Sequence, residues 1–243
     1  MGKSRWEYIY GINPAFEVLR GERRKIHEAF LNAHSPNNSR LKKLSQYLTS
    51  KHIEIAWVDK GRLMDLAESK EHQGAVLRVS PYPYVSAESL FGKPHLLLLD
   101  NVEDPHNTGA ILRCADVFGF HAVLTPEKGV PEIYPSVVKV SAGATEHIDI
   151  AREGTANKLV MRAKEEGYTV VALDAKGPVE ISKAPSQCGE KILLVIGGEA
   201  KSVSHWILEN ADVVASIQQH GRVNSLNASV AAGIAMFSFC TGR

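Results

Sequence analysis

The sequence predicts an α/β protein: a small front α/β domain followed by a larger domain built around a parallel sheet. Three observations carry this expectation. From Leu96 onward, short apolar runs alternate with amphipathic stretches, the pattern of strands buried on both faces beneath helices. Ahead of that region, Ser80-Pro81-Tyr82-Pro83-Tyr84 sets two prolines one residue apart. Each fixes its own φ and keeps its predecessor out of the helical region, so an extended connector is expected. The residues before it mix helical and strand patterns on a compact scale. The domains are therefore expected at 1–80 and 92–243, with a linker at 81–91.

In the front domain, Pro14–Leu19 reads as a short helix and Ile26–Leu31 as a strand. Leu41, Leu44 and Leu48 give Arg40–Ser50 a helical period, and Ile53–Trp57 alternates as a strand does, with another strand at Gln73–Val79. In the larger domain, strands are expected at Leu96–Asp100, His121–Leu124, Thr169–Leu173, Ile192–Ile196 and Val213–Ile217. Helices should fall at Thr108–Phe118, Ala156–Glu166, Ser204–Asn210 and Leu226–Cys240.

The 243 residues are 44% hydrophobic and 23% charged, enough to bury a sizeable core. No apolar stretch approaches the roughly 20 residues that span a bilayer, and Met1–Glu7 lacks the apolar core of a signal peptide. Cys114, Cys188 and Cys240 are odd in number and far apart, with no C-x-x-C pair. They read as reduced thiols, without disulfide or zinc site, in a cytoplasmic protein that uses no metal and meets no membrane. The net charge of +1 hides an asymmetry: residues 1–80 carry 14 Lys and Arg against 9 Asp and Glu, and the remainder 14 against 18. A basic front suits a polyanionic partner, though an unevenly charged solvated surface reads the same way.

Parallel sheets bind ligands beyond the carboxyl ends of their strands, which directs attention to three loops. In Asn101–Gly109, Asn107 is suited to cap the helix that follows, and Arg113 lies within that helix. Arg113 also stands three residues before Asp116, so a surface ion pair is its plain alternative role. In Ile192–Glu199 a buried strand runs into Gly197-Gly198 and then Glu199; glycines admit close approach to the backbone, although such a pair also serves as an ordinary turn. The polar run Gln218–Ser229 opens the last helix, which Asn224 or Ser225 can cap. Its Ala228, Ala231, Ala232, Gly233 and Ala235 form a small-residue surface fit for close packing. Neither G-x-G-x-x-G nor a phosphate-binding P-loop occurs, which disfavours an ordinary nucleotide-dependent enzyme.

Taken in order, Asp104-Pro105-His106-Asn107-x-Gly109-Ala110-x-x-Arg113, then Ile196-Gly197-Gly198-Glu199, then Gly221-x-Val223-x-Ser225-Leu226-Asn227-x-Ser229-x-Ala231 resemble the three motifs of the SpoU/TrmH family. These are SPOUT-class RNA 2′-O-methyltransferases. Ile9–Ala15 and His72-Gln73-Gly74 resemble that family's substrate-binding domain. The resemblance implies a C-terminal sheet tied into a deep trefoil knot, a small N-terminal RNA-binding domain, and a homodimer. It implies S-adenosyl-L-methionine as cofactor, held by Leu173, Gly197, Gly198, Ile217, Gln218 and Leu226. It further implies catalysis by Arg113, with Asn107, Glu199, Ser225 and Asn227 around it, Glu199 aiming the guanidinium. The implied reaction is methylation of a ribose 2′-hydroxyl, that of guanosine in large-subunit ribosomal RNA. Relatives acting on transfer RNA tend to lack such a front domain, so ribosomal RNA is favoured. A transfer-RNA methyltransferase and a non-catalytic RNA-binding homologue are the alternatives. Two departures stand out: Ala200-Lys201-Ser202 replaces the usual Gly-x-Gly, and Gln218 stands where proline is common. The cofactor loop is expected to follow its own path.

Overall fold

The computed structural model describes residues 6–35, 37–222 and 225–241. It divides into two compact units: the chain up to Pro83 with Ile133–His147, and Tyr84–Glu132 with the chain from Ile148.

The first unit runs β1 (Glu7–Tyr10), α1 (Ile12–Gly21), β2 (Ile26–Asn32), α2 (Ser39–Ser50), β3 (Ile55–Val58), α3 (Lys60–Ala67) and β4 (Ala75–Val79). Its four-stranded sheet has the order β1-β4-β2-β3, with β4 antiparallel to both neighbours and β3 a parallel edge strand beside β2. The leucine period sets α2: Leu41, Leu44 and Leu48 are buried, and Asn38 caps the helix by accepting from the Arg40 and Leu41 amides. The strand expected from Ile53 starts later, because the Ile53 N–H turns back to the Leu48 carbonyl at 3.0 Å and closes the end of α2. Gln73 and Gly74 likewise stay outside β4. Both have positive φ, and the Gln73 side chain accepts instead from the Ile12 amide at 3.1 Å. β1 and α3 escaped the sequence pattern, being short elements with few buried apolar residues apiece.

Residues 133–147 join this unit from far along the chain, bringing α5 (Pro135–Val140) against β1. They also bring Glu146, fully buried against the Arg24 guanidinium at 3.0 Å, which reaches Glu7 at 2.5 Å as well. Burial lifts the Glu146 carboxyl above its ordinary value, against the pull of Arg24. Tyr82, between the connector prolines, lies under Arg24 at 4.9 Å and donates its hydroxyl to the Thr145 carbonyl.

The second unit contains β5 (His95–Asp100), α4 (Pro105–Val117), β6 (Ala122–Thr125), β7 (Asp149–Arg152), α6 (Ala156–Glu165), β8 (Thr169–Leu173), β9 (Val179–Glu180), β10 (Ile192–Gly197), α7 (His205–Asn210), β11 (Val213–Ser216) and α8 (Ala228–Thr241). The seven strands are all parallel, in the order β7-β6-β5-β10-β8-β11-β9. Leu96–Leu99 and Leu193–Val195 are wholly buried, which is why these strands read as unbroken apolar runs. Ala87 and Leu90, from the expected linker, lie in the same core. The order runs outward from β5 through β6 and β7 on one side and places β10 and β8 on the other. The direction of winding thus reverses between β5 and β10, the position where such sheets open a ligand crevice. The short edge strands β7 and β9 lacked a sequence signal of their own.

Two expected helix caps are corrected. α4 begins at Pro105, and Asp104 caps it by accepting from the His106 amide at 2.9 Å. Proline at the first helical position needs no N–H partner, which fixes the start there and leaves Asn107 inside the helix. α8 begins at Ala228 rather than Leu226, and Asn227 caps it: its Oδ1 accepts from the Ser229 amide at 2.9 Å and the Val230 amide at 3.4 Å. Ser225 is therefore not the cap, and Val223 and Asn224 lie outside the described residues.

Candidate active site

The cap at Asn227 has a consequence for chemistry. With its oxygen committed to α8, the Asn227 amide is turned outward, where Nδ2 donates to Asn107 Oδ1 at 2.9 Å and to Glu199 Oε1. Asn107, buried in the first turn of α4, donates its own Nδ2 to the same Glu199 oxygen at 3.2 Å. Residues from the first turn of α4, the loop after β10 and the start of α8 thus share one polar cluster. Glu199 accepts from two carboxamides, so each side chain's orientation is set by the others.

Below this cluster the loop after β10 is fastened to the loop after β5 in register. The Ser204 amide donates to Asp100 Oδ2 at 2.7 Å, Asn101 Nδ2 to the Ser202 carbonyl at 3.5 Å, and Lys201 pairs with Glu103 at 3.1 Å. With the Asn107–Glu199 bond, the two loops run past each other like a zipper. The glycines are required by how closely they pass. A Cβ on Gly198 would lie 2.0 Å from the Asn101 carbonyl oxygen, and one on Gly197 would lie 2.2 Å from the Val203 nitrogen. Asn101 itself adopts a left-handed conformation with φ of 57°, which asparagine tolerates.

Beside the cluster opens a cavity of about 380 Å³, lined by the chain segments that leave β8, β10 and β11 and by the start of α8. This volume lies in the range of small-molecule sites. Leu173, Gly197, Gly198, Ile217 and Leu226 of the expected cofactor residues line it, as do Glu199, Ser225 and Asn227 of the expected catalytic set. Gln218 does not; it is exposed, and Gln219 occupies the wall in its place. Asp174 and Ala175 also line the cavity and went unnoticed in the sequence, and Ser202 of the departing Ala200-Lys201-Ser202 segment lines it as well. The position of Asp174 directly after a buried strand was the available signal.

Arg113 is exposed on α4. Among the described residues it makes neither the surface pair with Asp116 nor a contact with Glu199. Asp116 instead faces His121, Nε2 to Oδ1 at 3.5 Å, and the Glu199 oxygen is held by the two asparagines. The neighbouring Cys114 thiol is pushed above its ordinary value by burial, so it is a poor nucleophile here. Among the described residues no His, Cys, Asp and Glu cluster is suited to hold a metal, and no helix is long and apolar enough to cross a membrane.

Residues 94–237 match the SpoU rRNA Methylase family. The chain belongs to that family. Residues 8–85 match a second model, RNA 2′-O ribose methyltransferase substrate binding. A Bacillus subtilis relative, YacO, whose name places it with the TrmH family tRNA/rRNA methyltransferases, is 32% identical over 95% of this chain and 94% of its own. Two solved structures share the fold. The AdoMet-bound rRNA methyltransferase of Sinorhizobium meliloti superposes with a TM-score of 0.79 at 20% identity, over 97% of this chain and 87% of that one. The SpoU methyltransferase AviRb of Streptomyces viridochromogenes, in complex with AdoMet, superposes with 0.80 at 20% identity, over 98% and 92%. As a member of the SpoU family, the chain is an RNA ribose methyltransferase of the TrmH/SpoU type.

Proposed function

We propose that this SpoU methylase binds S-adenosyl-L-methionine in the cavity beside the Asn107–Glu199–Asn227 cluster and methylates a guanosine 2′-hydroxyl in large-subunit ribosomal RNA. The observation that carries the reading is the polar cluster, which bridges the loops after β5 and β10 where the sheet's winding reverses and lines the cavity through Glu199 and Asn227. The residues fit the cofactor's chemistry. The closely packed glycine backbone at Gly197 and Gly198 and the apolar Leu173, Ile217 and Leu226 suit an adenine ring, while Asp174 offers a carboxylate to a cationic group. The deep trefoil knot and the homodimer belong to the same reading.

When bound, the cofactor supplies an electrophilic methyl group on a sulfonium sulfur. The protein's part is to orient the attacking oxygen and assist loss of its proton. The planar fork of Arg113 is suited to donate to the hydroxyl oxygen and the adjoining phosphate, favouring the developing alkoxide. The exposure of Arg113, with no ion pair among the described residues, leaves those donors available to RNA. Glu199, Asn107 and Asn227 hold one another and fix the floor on which the ribose rests. Ser225, exposed at the cavity wall, joins them as a group within reach of substrate. The substrate-binding match across the front of the chain and that region's basic balance support an RNA substrate held by the front domain, and ribosomal RNA is the class this reading assigns.

The test is transfer of radiolabelled methyl from S-adenosyl-L-methionine to total RNA of a host lacking the modification, comparing wild type with Arg113→Ala. The expected product is an alkali-resistant 2′-O-methyl dinucleotide in large-subunit ribosomal RNA, lost in the variant. Label confined to transfer RNA overturns the substrate assignment, and undiminished transfer by Arg113→Ala overturns the role of Arg113.

A further inference from the structure

Trp57 is out of place in the first unit. Tryptophan is mostly buried in folded proteins, yet 55% of this one is exposed. It stands on β3, the edge strand of the sheet, between Ala56 and Val58, which turn the other way into the core under Leu63 and Ala67. Among the described residues the indole has no ring, cation–π or hydrogen-bond contact. The outer edge of β3 also has no strand beside it, so backbone N–H and C=O groups face outward there.

Cations stand beside this strand on α2, which packs against β3 and carries no Asp or Glu. Lys42 and Lys43 on α2 are exposed, and among the described residues neither forms an ion pair. An accessible aromatic plane, outward backbone groups and unpaired cations together match what an unpaired nucleotide requires. Its base stacks on the ring, and its phosphates meet the charges. A duplex hides its base faces and gains nothing from the indole.

The geometry points to Trp57 and the β3 edge as a binding site for an unpaired nucleotide of the RNA substrate, the base on the indole and Lys42 and Lys43 of α2 as its charged rim. The inference rests on the reading that the chain acts on RNA, and it adds where a single-stranded segment is held.

The full chain is titrated with a short unstructured single-stranded RNA and with a duplex of the same sequence, for wild type, Trp57→Ala and Trp57→Phe. Trp57→Ala should weaken single-strand binding about tenfold or more, with duplex binding and the salt dependence unchanged. Trp57→Phe should restore most of the affinity, which a loss of folding would not allow. Methyl transfer by the wild type is measured alongside. If it proceeds while Trp57→Ala binds single-stranded RNA as the wild type does, the site falls and the enzymatic reading stands. Wild type that binds neither RNA form overturns the site, and overturns the enzymatic reading as well only if methyl transfer is also absent. Tryptophan emission that depends on protein concentration without RNA, and only when Trp57 is present, assigns the edge to a second copy of the chain and overturns the site.

Discussion

Asn227 shows how one side chain is bound to two tasks. Its oxygen caps α8 and its nitrogen holds Glu199 and Asn107, so substituting it with alanine would confound stability with chemistry. Aspartate separates them. It caps a helix as well as asparagine does, but it has no N–H to give and sets a second carboxylate beside Glu199. We expect Asn227→Asp to unfold at nearly the wild-type temperature while its turnover falls on the order of a hundredfold, the scale set by small misplacement of reacting groups. Asn227→Ala should lose both, with about 1 kcal/mol of stability from the missing cap. Methyl-transfer kinetics and thermal unfolding on the same preparations decide the matter. Near-normal turnover by Asn227→Asp would reduce the cluster to a helix cap.

At the scale of elements, the fold divides into what local pattern dictates and what distant contacts impose. The leucine spacing of α2 and the apolar runs of β5, β8 and β10 were legible because each element's burial is written in its own period. The start of α4 was missed: Asn107 drew the cap three residues too late, although Asp104-Pro105 supplies both a cap and a first-turn proline. By contrast, no local pattern announces that residues 133–147 fold with the first unit, because Glu146 is defined there by Arg24, more than a hundred residues away. The candidate site was legible in its residues and hidden in its bonds. Motif order picked out Asn107, Glu199 and Asn227, but only folding shows that Glu199 accepts from both asparagines. The zipper between the two loops is likewise a product of folding, and it makes Gly198 a sharp test. A methyl group there meets the Asn101 backbone, which has no flexible end to yield. Gly198→Ala should displace the loop, weaken cofactor binding at least about tenfold, and destabilise the chain by roughly 1–3 kcal/mol, as overpacking does. Calorimetric titration with S-adenosyl-L-methionine measures the first and denaturant unfolding the second. Unchanged affinity would mean that the loop does not shape the cofactor site.

At the scale of the molecule, α8 has more apolar surface than its own chain covers. Ala232, Ala235, Met236 and Phe239 are buried, and Gly233 lets the helix approach Cys114 of α4, the thiol only 3.4 Å from where a Cβ would stand. Yet Val230, Ile234 and Phe237, spaced to share one face, stay open, Phe237 by 53%. Phe118 of the α4 end packs against Phe237, and Val117 beside it is 69% exposed. The stripe therefore continues from α8 onto α4, the helix that carries Arg113. Contiguous apolar surface of this kind is characteristic of association, and under the proposed homodimer it is where a second copy would pair. Phe237→Glu sets a charge in the middle of that stripe at a position already exposed, so folding should survive while pairing fails. Light scattering should find the wild type as a dimer and the variant as a monomer. Turnover then decides how the site is assembled. Loss of methyl transfer in a folded monomer that still binds the cofactor would mean that Arg113 needs the paired arrangement to reach the ribose. Full activity in the monomer would place every catalytic group within one chain. A wild type that is itself monomeric would leave the apolar stripe without the role assigned to it.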